Sequence, residues 1–480
     1  MKRLVSAAFV LLLGTAAFGE RYPLPARTSL DRATVSLELS DADVTVVVDD
    51  SAEPVIAVDA LPAEADGAAI EADLRSEVLR IAPIDGPMRL QVDLRLRTDQ
   101  SLALGGRQIS LRVRRVPNEA ATPAVETEVS AGGSEPSSVA LDLRLEASEV
   151  DLDRTGETRI TASDTSLWIR DTEGALYLDL RRGSATIRRH SGSVEVDGAE
   201  TSIEVLDQRG DITARCEGGD LRIDGGSGQI QLNLQHTDAA VSLWRGKLHL
   251  VGEGGRFEAR DVERSPDGWV VEGSDLQAFV ERVAGSLEAR LTSGSLDVRD
   301  LGGSLKLEGS DGLEATAESL RGDVSVQLSG GATARLTQAE RQLLVKIEDS
   351  LLEADDVRRL NLEGTRSELR LSGIKRVERV QLVDSSLTAD LSEVRSRVHL
   401  ELAGQGDATV WLGTPCVVAV RTSDPERAGQ VRVVSCDLRL PGQPLRPARN
   451  RLIHGHRVPV ILNLTIDEGV RVVAEGRTVE

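Results

Sequence analysis

The side chains of this chain that could do chemistry are chiefly carboxylates. Aspartate and glutamate account for 78 of the 480 residues, against 57 lysines and arginines, so the formal net charge is −21. Enzymes that cleave polysaccharides use pairs of carboxylates, and some β-helical enzymes hold such pairs in a groove built by long loops. Most turns here are only about three or four residues long, as in other tight connections between strands. The sequence therefore predicts an acidic, solvated surface rather than a catalytic groove.

Two other stretches resemble metal sites. His454 and His456 flank one glycine in RLIHGHRVP and could share a metal, but no further ligand accompanies them. GGSGQIQLN, which begins at Gly225, is similar to calcium-binding nonapeptide repeats, yet Gln229 and Ile230 stand where an aspartate is needed. We therefore predict no catalytic residue, no metal site and no cofactor.

Aromatic residues are scarce, at 2% of the chain. A sugar-binding platform would need several of them aligned, and the candidates are Trp168, Tyr177, Trp244, Trp269 and Trp411. Trp168 and Tyr177 are nine residues apart, which puts them on different faces of a coil that contains two nine-residue units. We expect these side chains to be core residues or isolated surface residues.

Charge and cysteine content narrow the partners and the compartment. A net charge of −21 repels nucleic acid and anionic lipid. In an oxidising compartment Cys416 and Cys436 could form a disulfide, whereas Cys216 lies far from both in sequence. The alternative is three free or buried thiols, and the sequence leaves both open.

The first residues have the three-part pattern of a secretory signal peptide. Lys2 and Arg3 precede an apolar stretch that ends at Leu13, and small residues follow up to Gly19. A transmembrane anchor needs about 20 apolar residues, and this stretch is shorter. We predict a signal peptide at 1–19 and export to the periplasm, the cell surface or the medium, with no membrane span in the rest of the chain.

The centre of the chain repeats every nine residues. Apolar residues recur at Leu167, Leu176, Ala185, Val194, Ile203, Ile212, Leu221 and Ile230, and again two positions later at Ile169, Leu178, Ile187, Val196, Val205, Ala214, Ile223 and Leu232. The residues between them are mostly polar. Such alternation predicts a strand with one buried face, so each unit is one short strand and one turn.

Glycines mark the turns of this repeat. Gly183, Gly192, Gly210, Gly219 and Gly228 each stand two residues before an apolar position, and Thr201 fills the one missing place. Glycine tolerates positive φ and close backbone approach, which a tight corner requires. The period returns at Gly285, Gly294, Gly303 and Gly322, and Leu351, Leu369 and Leu387 recur at twice the period. That interval predicts a coil of about two units.

Equal spacing favours stacked coils over a propeller or a meander. We therefore predict an all-β fold, a parallel β-helix (β-solenoid) with about nine-residue strand-turn units. Its repeats occupy 140–410, after a β-rich region at 20–116 and a linker or long loop at 117–139, and a C-terminal cap occupies 411–480. The region 20–116 is either a separate β domain or an irregular start of the solenoid.

The units GDITA, GDLRI, GDVSV, GSLEA, GSLDV and GSVEV resemble those of a bacterial adhesin-type family of exported β-strand repeat proteins, formerly a domain of unknown function. DADVTVVVD resembles the opening strand of that family, with Ala42 and Asp43 in place of Gly-Asp. The resemblance implies a parallel β-helix at the cell envelope with an adhesive role, and it supplies no functional residues.

Two functions are compatible with these observations. The first is an exported, non-enzymatic β-solenoid that acts as an adhesin, envelope scaffold or binding protein, with an unknown surface protein or glycan as its ligand and self-association through its ends. The alternative is a polysaccharide-active β-helix enzyme, a lyase or hydrolase, in which the irregular stretch 252–284 supplies a loop. Stacked carboxylates beside that stretch would favour the enzyme.

Overall fold

A computed structural model of the protein describes residues 100–115, 140–263 and 268–413, together with shorter strand segments elsewhere. Contacts divide the chain into two compact units, Met1–Ala240 and Val241–Glu480. The predicted linker at 117–139 lies outside the described residues, as do Cys436, His454, His456 and, apart from Phe9–Val10, the predicted signal peptide at 1–19. No helix among the described residues is both long and apolar enough to cross a bilayer.

Short parallel strands make up the first unit. In chain order they are β1 Phe9–Val10, β2 Thr34–Ser40, β3 Ala42–Val48, β4 Val55–Leu61, β5 Ile70–Asp73, β6 Val78–Pro83, β7 Arg89–Leu96, β8 Ser101–Arg107, β9 Ser110–Arg115, β10 Ala140–Glu146, β11 Glu149–Asp153, β12 Thr158–Ser163, β13 Ser166–Arg170, β14 Leu176–Arg181, β15 Ser184–Arg188, β16 Val194–Arg209, β17 Ile212–Ser227 and β18 Ile230–Gln235. Strand β19, Asp238–Arg245, spans the boundary between the units.

The second unit continues with strands of the same kind. They are β20 Leu248–Glu253, β21 Arg256–Val262, β22 Trp269–Ser274, β23 Gln277–Val283, β24 Leu287–Thr292, β25 Ser295–Leu301, β26 Leu305–Ser310, β27 Glu314–Leu320, β28 Val324–Leu328, β29 Thr333–Glu348, β30 Leu351–Thr365, β31 Glu368–Ser372, β32 Val377–Val383, β33 Ser386–Leu391, β34 Val398–Ala403, β35 Gly406–Gly413, β36 Cys416–Thr422, β37 Val431–Val434, β38 Asp437–Arg439, β39 Val460–Ile466 and β40 Val470–Arg477.

Two parallel ladders build each coil of the first unit. Ladder A contains β8, β10, β12, β14, the first halves of β16 and β17, and β18; ladder B contains β9, β11, β13, β15 and the second halves of β16 and β17. Val194 pairs with Leu176 and with Ile212, 18 residues away on either side. Each coil therefore holds two nine-residue units, as predicted, and the parallel β-solenoid is confirmed.

The inward stacks have the register that the sequence predicts. Every residue of the two apolar series that begin at Leu167 and Ile169 is at most 3% exposed. The intervening side chains point outward, and Glu195 is exposed. Burial of these continuous apolar columns stabilises coils whose strands are too short to be stable alone.

Glycines with no room for a side chain form one corner column. A Cβ on Gly192 would lie 1.8 Å from the carbonyl oxygen of Gly174, and one on Gly210 would lie 2.1 Å from that of Gly192. Gly228 repeats the arrangement at 2.3 Å from the Gly210 oxygen. Coils can stack at the spacing of β-strands here only because these positions lack a side chain.

Non-glycine residues in the left-handed conformation end most strands. Asp164 (φ 52°), Arg182 (φ 50°) and Glu200 (φ 53°) occupy one corner in successive coils. The residue that follows is a small buried one, and its hydroxyl, where present, closes the corner: Thr165 Oγ1 donates to the Ser163 carbonyl at 2.8 Å. Thr201 fills a glycine place because this corner accepts either residue type. Repetition of the same contacts in every coil offsets the backbone strain.

The first coil of the chain is inserted between later ones. Strand β2 pairs in parallel with β6 on one side and β8 on the other, and β3 lies likewise between β7 and β9. Strands β4 and β5 pair antiparallel with β7 and β6. The β-rich N-terminal region thus joins the same ladders as the repeats.

The second unit also has two parallel ladders, but its coils vary in length. Val324 pairs with Leu343 after 19 residues, and Leu352 pairs with Leu369 after 17. Leu369 and Leu387 are inward, as the 18-residue interval predicts, but the prediction for Leu351 is wrong. The short coil puts Leu352 in the inward place and leaves Leu351 half-buried beside Glu368.

The end of the chain mirrors its beginning. Strands β39 and β40 lie between the pair β34 and β35 and the pair β36 and β37. The predicted C-terminal cap therefore continues the parallel ladders. Cys416 at the start of β36 is disulfide-bonded and Cys216 is free, whereas Cys436, the predicted partner of Cys416, lies outside the described residues.

Candidate binding surface

Three shallow open grooves flank one corner of the first unit, the corner that joins ladder A to ladder B. Their volumes are about 460, 520 and 580 Å³. The two larger grooves lie on the ladder A side and share Asp179 and Arg181. The smallest lies on the ladder B side, and its walls are polar corner residues and strand starts.

Hydroxyls and an ion pair line the smallest groove. Arg182 donates to both carboxylate oxygens of Asp164 at 3.1 Å, one coil away. Ser166, Ser184 and Ser202 stand in register on successive strands, and the Ser184 hydroxyl donates to that of Ser166 at 3.4 Å. The groove therefore presents a row of small hydroxyls beside fixed charges.

Trp168 borders this row on the outer face of ladder B. Its side chain is 44% exposed, and it is the one exposed large hydrophobic residue among the described residues of the first unit. It lies next to Ser166 on β13 and is paired with Asp151 of β11 and Thr186 of β15. A flat aromatic ring thus lies open among polar neighbours.

Three arginines surround the tryptophan, and two of them are engaged. Arg170 donates to both carboxylate oxygens of Asp151 at 2.7 and 3.0 Å. Arg189 donates to Asp171 at 2.5 and 2.6 Å, and this hydrogen bond holds the pKa of the Asp171 carboxyl below its usual value. Arg188 is exposed across from Arg170, and no residue in the described part of the chain forms an ion pair with it.

The sequence analysis did not single out Arg188 or the serine row. Two signals could have found them. The arginine pairs at 181–182 and 188–189 flank β15 in a chain of strongly negative charge, and serines recur at 18-residue intervals from Ser166. Both become meaningful only once the coil length is known.

The predicted aromatic candidates do not come together. Trp244 and Trp269 are core residues at 0% and 1% exposure, and Trp411 is half-buried with its indole nitrogen donating to Glu475 at 3.1 Å. Tyr177 lies on ladder A beneath the Arg159 guanidinium, 5.1 Å from the ring centre. Trp168 and Tyr177 are therefore on different faces, as predicted.

The stretch 252–284 forms ordinary strands of a longer coil. Leu248 pairs with Trp269 and Arg256 with Gln277, each after 21 residues, and 264–267 lie outside the described residues. Carboxylates do stand beside it, but basic side chains separate them. Arg282 donates to Asp261 at 2.5 Å, and Arg290 forms ion pairs with Glu272 and Glu288.

These ion pairs fix the carboxylates in their ionised form. The Lys306 ammonium, 2.7 Å from Glu288, is the main cause of the lowered pKa of that carboxyl, and Arg282 likewise lowers the pKa of Asp261. A general acid at neutral pH needs the opposite shift, which burial without a cationic partner would give.

A buried polar column lies behind the second corner of the first unit. Thr172, His190 and Gln208 follow one another there, and the Thr172 hydroxyl is 2.7 Å from His190 Nδ1. Gln208 Nε2 donates to the Gly192 carbonyl at 2.6 Å. Among the described residues, neither His190 Nε2 nor Gln208 Oε1 has a hydrogen-bond partner. Desolvation by burial is the main cause of the lowered pKa of His190.

His190 should make the protein less stable in mild acid. Its pKa in the folded state lies below the usual value of 6.5, so unfolded chains take up a proton first as the pH falls. The contribution is present above about pH 6.5 and is lost below it, at no more than about 1.4 kcal/mol per pH unit. His190→Thr, which copies Thr172, should therefore narrow the difference in urea midpoint between pH 7.5 and pH 5.

The control is His236→Asn at an exposed corner, where the original pH dependence should persist. Carboxylates contribute to the slope in every variant, so the relevant quantity is the difference from wild type. An unchanged slope in His190→Thr would contradict the assignment.

Cys216 is a buried free thiol beneath the largest of the three grooves. Desolvation raises the pKa of its thiol to about 11, which keeps it protonated and weakly nucleophilic at neutral pH. Among the described residues no group of three or more His, Cys, Asp or Glu side chains is arranged to hold a metal ion. Comparison of the sequence with protein-family models and with curated proteins gives no match.

Proposed function

We propose that this protein is an exported, non-enzymatic β-solenoid that acts at the cell envelope as an adhesin or binding scaffold. The observation that carries the proposal is the state of its carboxylates. Beside the irregular coil they alternate with arginine and lysine and form ion pairs, as Glu272, Glu288 and Glu308 do with Arg290 and Lys306. Such a surface is organised to be rigid and to be recognised, not to transfer protons.

The open grooves support the same function. They lie on regular coils rather than under long loops, so a ligand of any length can lie across several rungs of the first unit. The resemblance of the GDITA-type and GSLEA-type units to an exported adhesin-type family agrees with this function.

Binding and turnover can be separated directly. Purified protein is incubated with isolated cell-envelope fractions and with a panel of polysaccharides, and both retention and newly formed reducing ends or unsaturated uronates are measured. We expect retention on envelope material with no product. Product that disappears in an Asp261→Asn, Glu288→Gln variant would favour the polysaccharide-active enzyme instead.

Export is tested on the mature chain. Removal of a signal peptide after Gly19 gives a protein that begins at Glu20. Mass spectrometry of material from the culture medium and the periplasm should give this mass, and a chain that retains Met1 would contradict export by this route.

A further inference from the structure

The surface around Trp168 has the chemistry of a sugar site. An indole ring presents a flat, electron-rich face on which the C–H face of a pyranose ring can pack. Trp168 is 44% exposed and stands beside the hydroxyls of Ser166, Ser184 and Thr186, which can donate to and accept from sugar hydroxyls. An aromatic face with a rim of hydroxyls matches the alternation of apolar faces and polar edges in a carbohydrate.

Arg188 adds a requirement for negative charge. Arg170 and Arg189 are bound bidentately by Asp151 and Asp171, so their charges are already compensated. Arg188 is exposed on the strand next to Trp168, two residues beyond Thr186, without an ion-pair partner among the described residues. A guanidinium in this state is suited to a bidentate hydrogen bond with a carboxylate.

The charge of the whole protein limits how acidic the ligand can be. At a net charge of −21, a long polyanion is repelled over the Debye length of about 8–10 Å. One carboxylate next to Arg188 is accepted locally, whereas a carboxylate on every sugar would meet Glu204, Asp220 and Asp164 nearby. Nucleic acid is disfavoured for the same reason.

A protein partner fits this surface less well. Protein interfaces concentrate several aromatic or aliphatic anchors in a desolvated centre. Here a single exposed aromatic stands among serines, threonine and charged residues.

We propose that the Trp168 surface, formed by Ser166, Trp168, Ser184, Thr186 and Arg188, binds an otherwise neutral glycan that carries an isolated uronic acid. The pyranose ring stacks on Trp168, and its carboxylate pairs with Arg188. The inference rests on the proposed binding function and names the ligand class of that function.

The test uses the full-length mature chain and three probes: cellobiuronic acid, cellobiose and polygalacturonate. Titration calorimetry should give tightest binding for cellobiuronic acid, weaker binding for cellobiose, and weakening of polygalacturonate binding at low salt. Trp168→Ala should lower the affinity for both disaccharides at least about tenfold. Arg188→Ala should remove the preference for the acidic disaccharide and leave cellobiose binding unchanged.

Two matched variants control for general effects. Tyr177→Ala removes a partly exposed aromatic from the other ladder, and Arg222→Ala removes an exposed arginine two coils away on the same face, so both should bind like the parent. Equal binding of cellobiuronic acid by Trp168→Ala and the parent would overturn the proposal, as would an equal loss for both disaccharides in Arg188→Ala.

The outcome is separable from that of the proposed function. If Trp168→Ala still adheres to envelope fractions as the parent does, the glycan site is wrong and the adhesive function stands. If the parent itself does not adhere, the proposed function fails whatever the disaccharides show.

Discussion

Val194→Asp should unfold the first unit at a much lower urea concentration than the parent. Val194 is 1% exposed and pairs with Leu176 and Ile212 in the inward column. A carboxylate there has no cationic partner and no water, so the substitution should cost roughly 3–5 kcal/mol. Circular dichroism in urea, followed on the strand signal, measures the shift in midpoint.

The neighbouring residue is the control. Glu195 is exposed on the outer face, so Glu195→Ala should change the free energy of unfolding by no more than about 0.5 kcal/mol. The opposite pattern, a stable Val194→Asp and an unstable Glu195→Ala, would mean that the strand register is shifted by one residue and that every outward assignment in ladder A must be reversed.

The regular part of the fold follows from the sequence because one local rule is repeated. Nine-residue spacing fixes the strand length, alternation fixes the buried face, and the 18-residue recurrence fixes two strands per coil. The inward positions of Val194, Val196 and their equivalents are therefore predictable without long-range information. The rule fails where a coil changes length, as at Leu351, because a deletion of one residue cannot be distinguished by eye from a change of register.

The stacking order at the ends was not predictable. That β2 and β3 are inserted between later coils, and that β39 and β40 are inserted between earlier ones, depends on which edges find the best partner. These pairings join residues far apart in sequence, and every apolar strand of the chain has nearly the same pattern.

The candidate binding surface was predictable only in part. The sequence places Trp168 and Tyr177 on different faces, and the structure agrees. The exposure of Trp168 and the burial of Trp244 and Trp269 could not be read from composition, because a tryptophan at a corner points inward or outward according to the length of its own coil. The state of Arg188 depends on partners one coil away, which the sequence does not reveal until the coil length is known.

Gly192→Ala should be nearly as damaging as a buried charge, although it adds a single methyl group. Gly192 has φ 141°, and a Cβ there would lie 1.8 Å from the Gly174 carbonyl oxygen, far inside the contact distance of the two atoms. The backbone of two coils must separate, which strains the bond from the Gly192 N–H to the Arg209 carbonyl at 2.8 Å and those above and below it. We expect a loss of roughly 3 kcal/mol or more.

Gly174→Ala separates this effect from simple backbone strain. Gly174 occupies the same corner one coil earlier and also has positive φ, at 95°, but its Cβ would meet nothing closer than 3.4 Å. It should cost only the strain of an L-residue in that conformation, about 1–2 kcal/mol. Urea midpoints of the two variants measured side by side give the comparison. If the two losses were equal, positive φ alone would explain the glycine column, and close approach of successive coils would not be what selects glycine there.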